Sequence, residues 1–245
     1  MENIMNKFVN KMKSKANKTL AMKKQRGMSL LEVIIVLGII GTMAAAVVIL
    51  AQRAFSSQDI TDLVDNTNSV RVAAGNAYHD TGIYPSEAAT ALNLTPANMN
   101  ESKGDTAPMA ATLVQLGQVS VSEIKNGISG DFFTMKGVKV TGDAAENSTK
   151  GFILDVNGLD AGECRSLLTQ LGNQWDYVEV ATAAAGADPT APDTLDGAVV
   201  ITAAGGGPVG VMRSLASEGA VAITASSAAQ ACSENSDNAI ILGSK

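Results

Sequence analysis

Apolar residues fill positions 28–51 almost without interruption, and beyond Ala51 they thin into a stripe at three- and four-residue steps. In the first stretch, Met28 to Ala51, the single charge is Glu32. As a helix rising ~1.5 Å per residue, such a run is long enough to cross a hydrocarbon core of ~30 Å. In the second stretch, Ile60, Leu63, Val64, Thr67, Val70, Ala74, Ala77 and Tyr78 share one helical face. Asp59, Asp62, Asp65 and Asn66 lie mostly on the other side. No proline interrupts residues 28–81, so the pattern predicts one continuous helix, roughly 80 Å long. Gly82 ends it, and Pro85 prevents its continuation.

From there to about Gly130 the chain reads as a long connection with short helices. Thr95-Pro96, Thr106-Ala107-Pro108 and the box Ser120-Val121-Ser122-Glu123 are helix starts, with Gly117 and Gly127 as stops. The remainder alternates short runs rich in β-branched and aromatic residues with turn residues. Strands are predicted at Phe132–Val140, Phe152–Val156, Tyr177–Ala181, Ala198–Thr202, Val221–Thr224 and Ala239–Leu242. Asn157-Gly158 reads as a turn. A helix starts at Asp160 and reaches Leu171 with Gly172 as its cap, and a second covers Val209–Ser217 and ends at Gly219. Residues 182–197, made of Ala, Gly, Pro and Asp, read as an exposed loop. The fold class is α+β: a long N-terminal α-helix laid across an antiparallel β-sheet.

Charge sharpens this picture. The net charge of −6 hides a split, because residues 1–27 hold eight of the 18 basic residues and only one of the 24 acids. Residues 28–245 therefore carry ten basic residues against 23 acids, the wrong sign for a nucleic-acid binder. Beside a spanning segment, the positive-inside rule keeps the basic leader in the cytoplasm and exports the rest. The apolar run is too long for a secretory h-region, and no small-x-small cleavage site follows it. An uncleaved signal anchor is the plain alternative. In the exported part Cys164 and Cys232 read as one disulfide in an oxidising compartment, or else as two buried thiols.

The border of the apolar run holds more information. Lys23-Lys24-Gln25-Arg26-Gly27-Met28-Ser29-Leu30-Leu31-Glu32 places basic residues, a glycine and a lone intramembrane carboxylate in fixed order. An ionised acid inside lipid is costly and marks function by default. These residues, with the apolar string through Leu50-Ala51-Gln52-Arg53-Ala54, resemble the processing site and first helix of type IV prepilins. Met28 after the glycine, and the length of the leader, are similar to the type IVb subclass. The similarity continues through Gly82-Ile83-Tyr84-Pro85, the Gly151–Gly172 segment and Cys232.

The resemblance implies a major pilin, a structural subunit of a surface fibre for adherence, bacterial aggregation and colonisation. Residues 1–27 are then a leader, 28–81 the helix (28–51 transmembrane and filament core, 52–81 packed on the head), and 82–245 the globular head. A prepilin peptidase/N-methyltransferase cuts between Gly27 and Met28 and methylates Met28, and Glu32 serves assembly. The implied partners are further copies in a helical filament, the pilus assembly machinery, and the inner membrane of a Gram-negative bacterium before export. The receptor stays open. The resemblance favours the Cys164–Cys232 bridge. A minor pilin, a type II secretion pseudopilin, and a signal-anchored periplasmic enzyme or binding protein are the alternatives. Gly38 and Gly41 fit either close helix packing in lipid or a section that stretches in the filament.

No catalytic constellation emerges. The one histidine, His79, rules out a two-His metal site and HExxH, and sits where a solvated or capping residue belongs. Gly205-Gly206-Gly207 lacks the Lys-Ser/Thr of a phosphate loop and reads as a turn. Asp188, Asp193 and Asp196 are of a type that binds calcium, but their setting reads as a solvated loop. The expectation is no enzyme, no cofactor and no metal.

Overall fold

The structure is a computed structural model that describes residues 29–142, 148–200 and 210–245. Its elements are α1 (Leu30–Ala77), α2 (Met109–Gln115), β1 (Thr134–Val138), β2 (Gly151–Leu159), α3 (Ala161–Leu171), β3 (Tyr177–Thr182), β4 (Gly210–Arg213), α4 (Ala225–Ala231) and β5 (Asn238–Ser244). The described residues fall into two compact units that divide between Gln52 and Arg53. The fold class is α+β, as the sequence implies.

In the second unit five strands form one sheet in the order β1-β2-β5-β3-β4, and every neighbouring pair is antiparallel. Alternation along the strands sorts side chains to two faces. Phe152, Leu154 and Val156 of β2, Val178 and Val180 of β3, and Ile240 and Leu242 of β5 meet the helices. The helices answer with Leu63, Val70 and Ala74 of α1, Leu113 of α2, and Leu167 and Leu168 of α3. Each of the larger side chains among them, fully buried, contributes about 1.5–3 kcal/mol. Of the stripe read from the sequence, Ile60, Leu63, Thr67, Val70 and Ala74 are buried and are joined by Ala73, while Val64, Ala77 and Tyr78 are half-buried against the core.

The opposite sheet face carries a smaller cluster of Val138, Ile153, Tyr177, Ile241 and Leu195. Leu195 comes from the segment read as an exposed loop, and it is fully buried. That segment is tied down by hydrogen bonds from Leu195 N–H to the Lys139 carbonyl (3.0 Å) and from Lys139 N–H to the Asp193 carbonyl (3.2 Å). Gly243 makes room for it. A Cβ there would meet Leu195 Cδ2 at 2.7 Å and Tyr177 Cβ at 2.8 Å.

Several local expectations need correction. α1 ends at Ala77, and Tyr78–Thr81 form a turn closed by Gly82 N–H on the Tyr78 carbonyl (2.9 Å), with Gly82 at φ +60°. Of the three helix starts before Gly130, only Pro108 leads into a regular helix. Thr95–Met99 and Ser120–Glu123 are single turns closed on themselves. Gly127 stops no helix, because Lys125 bridges back to Phe132. Asn157-Gly158 is no hairpin turn: both residues stay in β2, where the register shifts and Gly158 takes φ +69°. The predicted helix at Val209–Ser217 is instead strand β4 over Gly210–Arg213, since pairing with Val178–Val180 satisfies its backbone. Val221–Thr224 is no strand but the approach to α4. Residues 198–200 are irregular, and the rest of the strand predicted at Ala198–Thr202 lies outside the described residues, as do Val209 and Gly205–Gly207.

Candidate functional site

The first unit presents a bare apolar surface. Leu30 through Leu50 are all exposed, Leu31 at 66% and Leu37 at 63% among them. Among the described residues, α1 is the one helix long and apolar enough to cross a membrane. Glu32 is the acid of its first turn. There it faces the positive end of the helix dipole, which favours a carboxylate. Val33 N–H donates to the Ser29 carbonyl at 3.1 Å, so helical bonding begins at Ser29. Thr42 hides its hydroxyl by donating to the Ile39 carbonyl at 2.9 Å. Nothing lies within 4 Å of where a Cβ would sit on Gly38 or Gly41, so both leave notches in the rod. Gly27 and Met28 lie outside the described residues.

The head is stapled by a Cys164–Cys232 disulfide. Its two ends are set by helix caps. Asp160 Oδ1 accepts from Glu163 N–H at 2.7 Å while Glu163 Oε2 accepts from Asp160 N–H at 2.9 Å, which starts α3 and places Cys164 in its first turn. Thr224 and Ser227 cap α4 in the same reciprocal way, and Cys232 follows its last turn.

The chemistry-bearing residues singled out in the sequence do not converge. His79 is solvated, with Nδ1 3.5 Å from Asp80 Oδ1. Asp196 accepts from Gly142 N–H at 2.9 Å, and hydrogen bonds from Thr194 and Gly142 hold its carboxyl below the usual range. Among the described residues no three His, Cys, Asp or Glu side chains gather as a metal ion requires.

One acid escaped the sequence reading. Asp155 sits in β2 at 7% exposure, and its Oδ1 has no hydrogen-bond partner among the described residues. Its signal was a lone charge inside the run Phe152-Ile153-Leu154-Asp155-Val156. In the same row across β5, opposite Ile241, stands Glu179, which accepts from Tyr177 Oη at 2.6 Å. Burial raises the Asp155 carboxyl well above the usual range, and burial also raises Glu179 and Tyr177.

A long helix with a naked apolar front and an acid in its first turn, its rear half packed on an antiparallel sheet, is the arrangement that the resemblance to type IV pilins implies. Comparison with known proteins supports the class and narrows it. The family described as toxin-coregulated pilus subunit TcpA matches residues 112–232, and the prokaryotic N-terminal methylation motif matches residues 22–48. Toxin coregulated pilins of Vibrio cholerae, one from a serotype O1 El Tor strain, are 40% and 38% identical over 157 residues. The alignment covers 64% of this chain, which thus spans 62% of the length of those relatives. The crystal structure of TcpA, a type IV pilin from Vibrio cholerae El Tor biotype, matches with TM-score 0.58 and 26% identity, over 77% of this chain and 99% of that one. In sequence and in fold the chain is thus similar to the type IV pilins of the toxin-coregulated pilus.

Proposed function

We propose that the chain is the major structural subunit of a type IVb pilus and polymerises through its N-terminal helix. The observation that carries this reading is the exposed apolar surface from Leu30 to Leu50 with one carboxylate, Glu32, in its first turn. A soluble protein would bury such a surface, and a bare membrane tether needs no acid in it.

In this reading the basic leader 1–27 stays in the cytoplasm and residues 28–51 hold the precursor in the inner membrane of a Gram-negative bacterium. A prepilin peptidase cuts after Gly27 and the new Met28 amine is methylated. The helix from 52 onward docks the head, 82–245, and the assembly machinery lifts the subunit into an extracellular fibre. Both the Met28 amine and Glu32 lie in an apolar phase, where a central ionised residue costs ~2.5–3.5 kcal/mol. A neighbouring subunit whose amine meets Glu32 relieves both costs. Such a pair fixes register more than it adds stability, since a misplaced subunit leaves two charges unpaired.

The deciding experiment is N-terminal sequencing of sheared surface fibres. A methylated Met28 at the start supports the reading; a start at Met1, or no fibre containing this chain, overturns it.

A further inference from the structure

Residues 183–197 form a strap over the sheet face that the helices leave free. Its first end is held by polar bonds: Gly158 N–H to the Ala183 carbonyl (2.9 Å), Gly186 N–H to Asp131 Oδ2 (2.7 Å) and Asn157 Nδ2 to the Ala187 carbonyl (2.8 Å). Its other end is held by the buried Leu195 and the bonds to Lys139. Between Ala187 and Asp193, among the described residues, no backbone bond ties the strap to the sheet.

Asp155 lies beneath that middle. Ile153, Asp155 and Asn157 alternate onto one face of β2. Ile153 packs in the cluster of Leu195, and Asn157 is bonded to the strap at Ala187, so Asp155 falls between the two anchors. Charged groups reach it from three elements: Asp188 from the strap, Glu179 from β3, and Lys136 from β1. From β5 it meets Ile241, which carries no charge. A buried carboxylate without a hydrogen bond is costly; the neutral acid is not.

We propose that the strap is a pH-operated cover, closed over a neutral Asp155 and opening at its middle when that carboxyl gives its proton to water. Burial favours the protonated form most, the negative Asp188 and Glu179 push the same way, and Lys136 opposes them. The closed state therefore holds the proton more tightly than the open one. As pH rises from the ordinary carboxylate range through the raised Asp155 value, the closed state loses about a factor of ten in population ratio per pH unit. Opening uncovers Ile153 and Ile241.

The test is hydrogen exchange by mass spectrometry on the full chain in detergent micelles, from about pH 4 to about pH 9, corrected for intrinsic exchange. Peptides covering 183–197 should lose protection with rising pH, up to about tenfold per unit, while β5 peptides stay protected. Asp155→Asn should abolish the dependence. In the wild type, the carboxyl carbon of Asp155, followed by NMR, should titrate with the same midpoint as the strap; this reading stands even if the variant does not fold. The proposal is overturned by flat strap exchange, by an Asp155→Asn profile like wild type, by β5 opening in step, or by a carboxyl midpoint near ~3.9.

Discussion

The guanidinium of Arg71 lies 4.9 Å from the centre of the Trp175 ring. It also donates to the Gln174 carbonyl at 2.6 Å and to Ser244 Oγ at 2.9 Å. One side chain of α1 thus fastens the entry to β3 and the far end of β5. Trp175 in turn meets Phe152, Phe152 meets Tyr84, and Tyr84 meets Tyr78, with centroids 6.3, 4.9 and 5.4 Å apart. Arg71→Ala should cost the head about 2 kcal/mol, from a cation–π contact and charge-assisted hydrogen bonds lost together. Arg71→Lys should recover less than half, since a point charge cannot serve three partners at once. Urea denaturation followed through Trp175, the one tryptophan, measures both.

Glu32→Gln should insert and be cleaved normally yet assemble poorly, while Glu32→Asp retains part of the function. Fibre counts by electron microscopy, beside immunoblots for mature subunit, check this. Wild-type fibre number and length in Glu32→Gln cells would refute the pairing.

A bulky residue in place of Gly27 should leave the precursor uncut, because a side chain there crowds the peptidase. The readout is the mass of the membrane-bound chain. A mature-sized band from the mutant would refute this placement of the cut.

Gly243→Ala pushes a methyl into Leu195 and should cost about 1–3 kcal/mol by overpacking. Leu195→Ala should cost about 2–5 kcal/mol by leaving a cavity. Because the two changes meet in one space, the double variant should cost clearly less than their sum. A thermodynamic cycle by chemical denaturation reads the coupling; strict additivity would show that the two sites do not touch.

Replacing both Cys164 and Cys232 by Ser should destabilise the head by up to ~4 kcal/mol in the loop-entropy account. The variant should accumulate poorly, fall to added protease and make few fibres. Stable pilin with normal piliation would contradict it.

Much of this was legible in the chain because its strongest patterns are local. The stripe of α1 and the Asp160–Glu163 capping pair declare themselves over a few residues, and so does the run at Phe152–Val156. What stayed hidden is decided by distant partners. Gly210–Arg213 becomes a strand only because Val178–Val180 offers an edge. α4 is built of Ala and Ser with one Gln, and carries no apolar rhythm to read. Leu195 is a lone apolar residue among Ala, Pro and Asp, and nothing near it in sequence reveals the hollow left by Gly243. The proposed assembly residues rest on sequence alone, as one short string from Gly27 to Glu32.

The strand order has a consequence for biogenesis. β5 follows every other strand in sequence yet lies between β2 and β3. If the segments after α1 cross a membrane in chain order, β2 and β3 arrive as two apolar strands whose shared neighbour has not yet followed. Until Asn238–Ser244 emerges, both keep open edges of the kind that pair with the wrong chain. It follows that a chain cut short before β5 loses the middle of its sheet rather than a fringe, and a half-delivered head presents no finished surface to a growing fibre. If the chain polymerises as proposed, strand order makes completeness of export a condition for joining the fibre.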